Sequence, residues 1–170
     1  VIRRPITVLV HTRHAANWTA LLRRLAPDAL LDTIEVGEIG PDTAILLKER
    51  IDAGHWIAIA GDRTPIHGGE DWVEAPFLGA PAPFPTGPYL LAHLLGCPCH
   101  LLFCLPRGQD HLVWLEPFAE QVELPRGARR EALARHAARY AARLEEFALI
   151  DPFQWFNFHD FWREEAGARD

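Results

Sequence analysis

His11 and His14 are the first side chains whose type and setting suggest chemistry. They stand in "HTRHAANW" (11–18), beside Arg13, Asn17 and Trp18, directly after an apolar run. An imidazole there is a candidate general base, because its ordinary pKa lies near neutrality. A second candidate is Gly61-Asp62-Arg63, where opposite charges fall at the end of an apolar segment. Such a pair orients a polar head group, or closes a local turn as an ion pair. In "FLGAPAPFPTGPYLLA" (77–92), Gly87-Pro88 leads into a helical pattern. A helix start exposes backbone N–H groups that suit a phosphate or carboxylate, though taken by itself it reads as plain capping and packing. Cys97, Cys99 and Cys104 lie in "CPCHLLFC" with His100. The spacing around Pro98 matches no zinc knuckle, and alternate strand residues point to opposite faces, so buried reduced thiols and no metal are expected. Finally "DPFQWFNFHDFW" (151–162) packs six aromatics into twelve residues, which suits a buried clamp or, at its edge, a lipid interface.

These groups need elements to hold them. "ITVLVHT" (6–12) is a β-branched strand pattern, followed over 14–25 by Trp18, Leu21, Leu22 and Leu25 at helical spacing. "LLDTIEVGEIG" includes a short strand. Asp42 is expected to cap a helix carrying Ile45, Leu46 and Ile51 that stops at Gly54. "HWIAIAGDR" (55–63) and "WVEAPFLG" (72–79) read as strands, and "FPTGPYLLAHLLG" (84–96) holds a short helix with Pro88 in its first turn and Gly96 past its last. "CHLLFCL" and "HLVWLEPF" are expected to be adjacent strands joined through "PRGQD". A helix from Gly127 to Leu149 carries the stripe Leu133, Ala137, Tyr140, Leu144 and Phe147, with Arg135, Arg139 and Arg143 on another face. Helices alternating with strands predict a single α/β domain over 1–170, its sheet mixed but largely parallel and flanked by helices. In such sheets ligands lie beyond the carboxyl ends of the strands, which is where Asp62 and Arg63 fall.

The 170 residues are 49% hydrophobic and 24% charged, the balance of a globular domain and not of a disordered one. A formal charge of −6 lacks the basic excess of a nucleic-acid binder, so no nucleic-acid partner is expected. There is no methionine, even at position 1, which implies a piece of a longer translation product.

Five blocks in order, "GDRTP", "FLGAPAPFPTGPYLLA", strand residues ending "LLFC", a helix with "LEEF", and "DPFQWFNFHDFW", resemble the lysophospholipid acyltransferase superfamily. The likeness is nearest to its lipid A late-acyltransferase branch, and it runs from about Pro5 to Trp162. It implies transfer of a fatty-acyl group from a thioester, acyl carrier protein or coenzyme A, to a hydroxyl of a lipid or glycolipid. It also implies peripheral association with the inner face of a bacterial cytoplasmic membrane, and no cofactor. Asp62 and Arg63 would orient the acceptor or stabilise negative charge. Phe77, Leu78, Gly79, Gly87 and Pro88 would shape the pocket beside them.

The family's catalytic signature is a histidine and, after four intervening residues, an aspartate or glutamate. The histidine takes the hydroxyl proton, and the carboxylate fixes its tautomer and steadies the imidazolium. Here His11 leads to Ala16 and His14 to Thr19, so neither has its acid. The better alignment sets "PITVLVHTRHAANWTALL" one unit later in the family pattern, which places the dyad upstream of Val1 and leaves this chain's catalytic residues unassigned. Two further readings compete: a lipid- or acyl-binding module without the dyad, and His14 acting as a base alone.

Overall fold

A computed structural model describes residues 4–10, 31–35, 40–63, 72–157 and 161–162. The expected helix over 14–25, both histidines of the opening motif, and Thr64 and Pro65 lie outside these residues. The chain forms two compact units, Val1–Ala60 and Gly61–Asp170.

The first unit is built on β1 (Ile6–Val10), which lies between β2 (Leu31–Glu35) and β3 (Trp56–Ile59) in the order β2-β1-β3. Both pairings are parallel, with Ile6 level with Leu31 on one side and Trp56 on the other. One face of β1, Thr7 and Leu9, is buried and the other, Ile6, Val8 and Val10, half-buried, which suits the apolar run around a single threonine. That threonine, Thr7, is fully buried, and its hydroxyl accepts a 2.7 Å hydrogen bond from Arg50 Nη1. The same nitrogen lies 2.7 Å from Asp32 Oδ2, so one guanidinium ties β1 to β2 and satisfies the buried hydroxyl.

Arg50 rides on α1 (Pro41–Asp52). Two sequence expectations change in this helix. Asp42 is not its cap: Gly40 holds the N-cap position, Pro41 opens the first turn and Asp42 lies inside it, where a carboxylate favours the helix dipole. The inward residue is Leu47, fully buried, while Ile45 is 59% exposed. The apolar run Ile45-Leu46-Leu47 has three phases on a helix, and the side that carries Arg50 to Thr7 decides which one faces inward.

The second unit begins with a hairpin of β4 (Trp72–Phe77) and β5 (Ala80–Pro85). Strand β5 is absent from the sequence reading because Pro81, Pro83 and Pro85 deplete its donors. Alternate residues of an antiparallel strand send their amides to opposite edges. Ala80, Ala82 and Phe84 serve the ladder to β4, and the prolines fall on the edge that needs no donor. The two-residue turn puts Leu78 at φ +50° and Gly79 at +85°, as a type I′ turn requires.

α2 (Gly87–Leu95) runs as expected, with Pro88 in its first turn and Gly96 in the left-handed conformation after its end. β6 (Cys99–Arg107) and β7 (Asp110–Ala119) form the second hairpin, adjacent as expected, with Leu102 opposite Leu115 and Cys104 opposite Val113. The expectation of a largely parallel sheet therefore holds for β1–β3 only; the other two described sheets are antiparallel hairpins. The expectation of buried thiols also changes. Alternation along β6 turns Phe103 and Leu105 inward and Cys104 outward, so Cys104 is exposed, and Cys97 and Cys99 are half-buried.

α3 (Arg129–Ile150) follows a single 3₁₀ turn at Arg126–Ala128. Its expected stripe is the packing face: Leu133, Ala137, Leu144 and Phe147 are buried. Ala132, Ala141 and Ala148 join them, and such small side chains let the helix lie close on β4. Two arginines fasten the other face. Arg139 donates to the Phe118 carbonyl at 2.8 Å, and Arg143 grips Glu116 with two nitrogens at 2.7 and 2.8 Å.

Candidate functional site

The residues of four quoted blocks meet around Phe77, the last residue of β4. Its ring is fully buried, and four others surround it: Trp155 at 4.9 Å between centroids, Phe84 and Phe161 at 5.6 Å, and Trp162 stacked at 6.1 Å. The C-terminal aromatics lie some 70 to 85 residues along the chain from Phe77 and Phe84. Trp162 adds a contact from its indole N–H to the Phe77 carbonyl at 3.4 Å.

Asp62 closes one side of this cluster. Its Oδ2 accepts a 3.0 Å hydrogen bond from Trp155 Nε1, and Arg63 Nη2 donates to the Phe156 carbonyl at 3.4 Å. The two charges thus engage the C-terminal aromatic segment and not each other, contrary to the simple ion-pair reading. Gly61 is required here by space. A β-carbon on it would lie 2.8 Å from Tyr140 Cζ. Tyr140 is edge-on to Phe84 at 6.0 Å, and its phenol is held well above the ordinary range by burial and then by the charge of Asp62. The phenol therefore stays protonated and able to donate.

Glu145, of the "LEEF" block, closes the other side. Its Oε2 accepts the Leu78 N–H at 2.6 Å, which fixes a non-glycine residue in the left-handed conformation at the hairpin tip. Leu78 and Gly79 therefore stand beside the site as expected. Gly87 and Pro88, expected to shape the pocket, open α2. Pro88 has no N–H, and the amides of Tyr89 and Leu90 both donate to the Thr86 carbonyl at 3.1 and 3.0 Å. Two of the first-turn donors that an anion would use are thus engaged within the helix.

Tyr140, Glu145 and Trp155 were missed as site residues. Tyr140 and Glu145 sit inside a helical pattern that the core explains, and Trp155 inside an aromatic run that packing explains. Gly61 was the available signal, since a glycine at a strand end marks close approach of another group.

The dyad can be tested on geometry. Among the described residues one histidine has an acid after four intervening positions: His111 and Glu116. Residues five apart on a strand face opposite ways. His111 is exposed opposite Pro106, whereas Glu116 is opposite Leu101 and gripped by Arg143, whose hydrogen bonds hold its carboxyl below the usual range. The pair has the dyad's spacing and not its geometry. No group of three or more metal-ligating side chains occurs among the described residues. An opening of about 360 Å³ lies at the far end of β4, lined by Trp72, Val73, Glu74, Arg130 and Ala134, none of which belongs to the cluster.

Chemically, the cluster offers a carboxylate with one oxygen engaged, an exposed guanidinium beside it, and an aromatic floor. That set accepts a hydrogen bond from a hydroxyl and holds the apolar group attached to it; among its described residues there is no imidazole or thiol. The chain matches no known protein-family model and no curated protein sequence.

Proposed function

We propose that this chain is the acceptor side of an acyltransferase of the lysophospholipid acyltransferase superfamily, similar to its lipid A late-acyltransferase branch, with the α/β fold of that family's C-terminal part. The reaction is attack by a lipid or glycolipid hydroxyl on a fatty-acyl thioester of acyl carrier protein or coenzyme A. One observation carries the reading: residues of the "GDR", "FLG", "LEEF" and "DPFQWF" blocks, distant in sequence, surround Phe77 and Asp62. Packing alone asks for apolar partners. It does not ask for a carboxylate and a guanidinium at the rim of an aromatic cluster.

In this reading Asp62 accepts the hydrogen bond of the acceptor's hydroxyl, Arg63 faces its polar head, and the rings of Trp155 and Trp162 support its apolar part. The imidazole and carboxylate that activate the hydroxyl are not assigned to residues of this chain. The protein works at the inner face of a bacterial cytoplasmic membrane.

The geometry of His111 and Glu116 favours a second reading, a lipid- or acyl-binding module with no transfer chemistry. Thiol release distinguishes the two. The chain, alone and preceded by the codons upstream of Val1 in its reading frame, is given acyl-coenzyme A and a hydroxylated glycolipid. Acceptor-dependent thiol release by the longer form supports the transferase. Saturable acceptor binding without release by either form supports the binding module. Neither binding nor release overturns both.

A further inference from the structure

We infer that the C-terminal end of α3 and the turn after it insert into the surface of a lipid bilayer, with Leu149, Ile150 and Phe153 as the inserted side chains. The inference rests on the lipid-acceptor reading of the cluster. The three are 65%, 67% and 88% exposed within five residues of chain, carried by the last turn of α3 and the 3₁₀ turn Pro152–Gln154. A large apolar group in contiguous exposure marks an interaction surface.

The form of the surface argues for lipid over protein. Phe153 stands almost wholly in water on a turn, with Asp151 before it and Gln154 after it. A protein partner needs a complementary pocket, whereas a bilayer accepts any apolar group that reaches its acyl boundary. Position argues the same way. Trp155, two residues on, is the indole bonded to Asp62, and Arg63 bonds the carbonyl of Phe156, itself 57% exposed. The turn that reaches outward is thus continuous with the residues that would hold a lipid acceptor, so insertion would bring that site to the membrane surface. No described helix is long and apolar enough to cross a membrane, so attachment from the surface fits these elements.

Because the formal charge is −6, attraction to anionic lipid does not drive binding, and added salt, which screens the repulsion from phosphatidic acid, should not weaken it. The test is flotation of the 170-residue chain with vesicles of phosphatidylcholine and phosphatidic acid, which carry no alcohol hydroxyl and so offer no acceptor. The wild-type chain should float at low and high salt. Phe153→Ser should lower partitioning by about tenfold, the loss of one buried aromatic side chain. Phe153→Trp should restore it, and L149S/I150S/F153S should abolish it while near-ultraviolet circular dichroism stays native.

A wild type that does not float overturns the inference, and so does a triple variant that floats like wild type. A wild-type dimer that the triple variant dissociates, with no vesicle binding, assigns the patch to a second copy and also overturns it. Flotation together with a failure to bind hydroxylated glycolipid would leave insertion standing and remove the acceptor reading.

Discussion

Gly61 has no room for a side chain, because the Tyr140 ring occupies the place of a β-carbon. Gly61→Ala should destabilise the fold by about 1–3 kcal/mol, the usual cost of overpacking, and lower the melting temperature. His136 makes a second prediction. Its buried Nδ1 has no hydrogen-bond partner among the described residues, and its ring stacks on Tyr89 at 5.8 Å and tilts over Phe118 at 6.0 Å. Burial, and then the charge of Arg139, lowers its pKa below the ordinary 6.5. The unfolded chain therefore binds the proton first, and His136 costs stability progressively as pH falls below about 6.5 until the folded state also protonates. Urea unfolding should show that loss between neutral and mildly acidic pH, with a smaller slope in His136→Phe. At this scale Asp62 and Arg63 were legible because charge at the end of an apolar strand is conspicuous. Their partners were not: nothing local in the sequence says that an indole 93 positions away meets that carboxylate.

The helices and the β6–β7 hairpin could be read from periodicity, because their faces are set by local spacing and their ends by glycine and proline. β5 could not, since three prolines argue against a strand and only the ladder to β4 shows that they fall on the edge left unpaired among the described residues. That placement blunts the edge against adding another strand. P81T/P83T, which restores two outward donors, should promote self-association seen by light scattering; unchanged scattering would contradict the role assigned to the prolines. The hairpin tip depends on another element. Glu145→Ala removes the acceptor of the Leu78 amide and should cost about 1–3 kcal/mol, whereas Glu145→Gln keeps an acceptor oxygen and should cost less. Equal losses in chemical denaturation would show that this hydrogen bond does not hold the tip. α1 shows the limit of periodicity: three consecutive apolar residues leave its phase open, and the Arg50 bridge to Thr7 and Asp32 sets it.

Over the whole molecule, the α/β class was legible from the order of elements, while the parallel character of the sheets was not. Parallel and antiparallel strands share an apolar pattern when both faces are covered, and the difference lies in the connections. The aromatic block near the C-terminus was half legible. Density alone pointed to packing, which Trp155 and Phe161 obey, but gave no means of telling Phe153, at 88% exposure, from its inward neighbours. The account as a whole stands on Asp62 as the group that receives an acceptor hydroxyl. Its most direct test is titration of the chain with a hydroxylated glycolipid in detergent micelles, read by tryptophan fluorescence, for wild type and Asp62→Asn. The asparagine keeps an oxygen for Trp155 Nε1, so the cluster stays assembled, while the second oxygen becomes an NH2 donor and the charge is lost. The account predicts saturable binding that Asp62→Asn weakens about tenfold, the worth of a charge-assisted hydrogen bond. Binding that is not saturable, or that the substitution leaves unchanged, would contradict it.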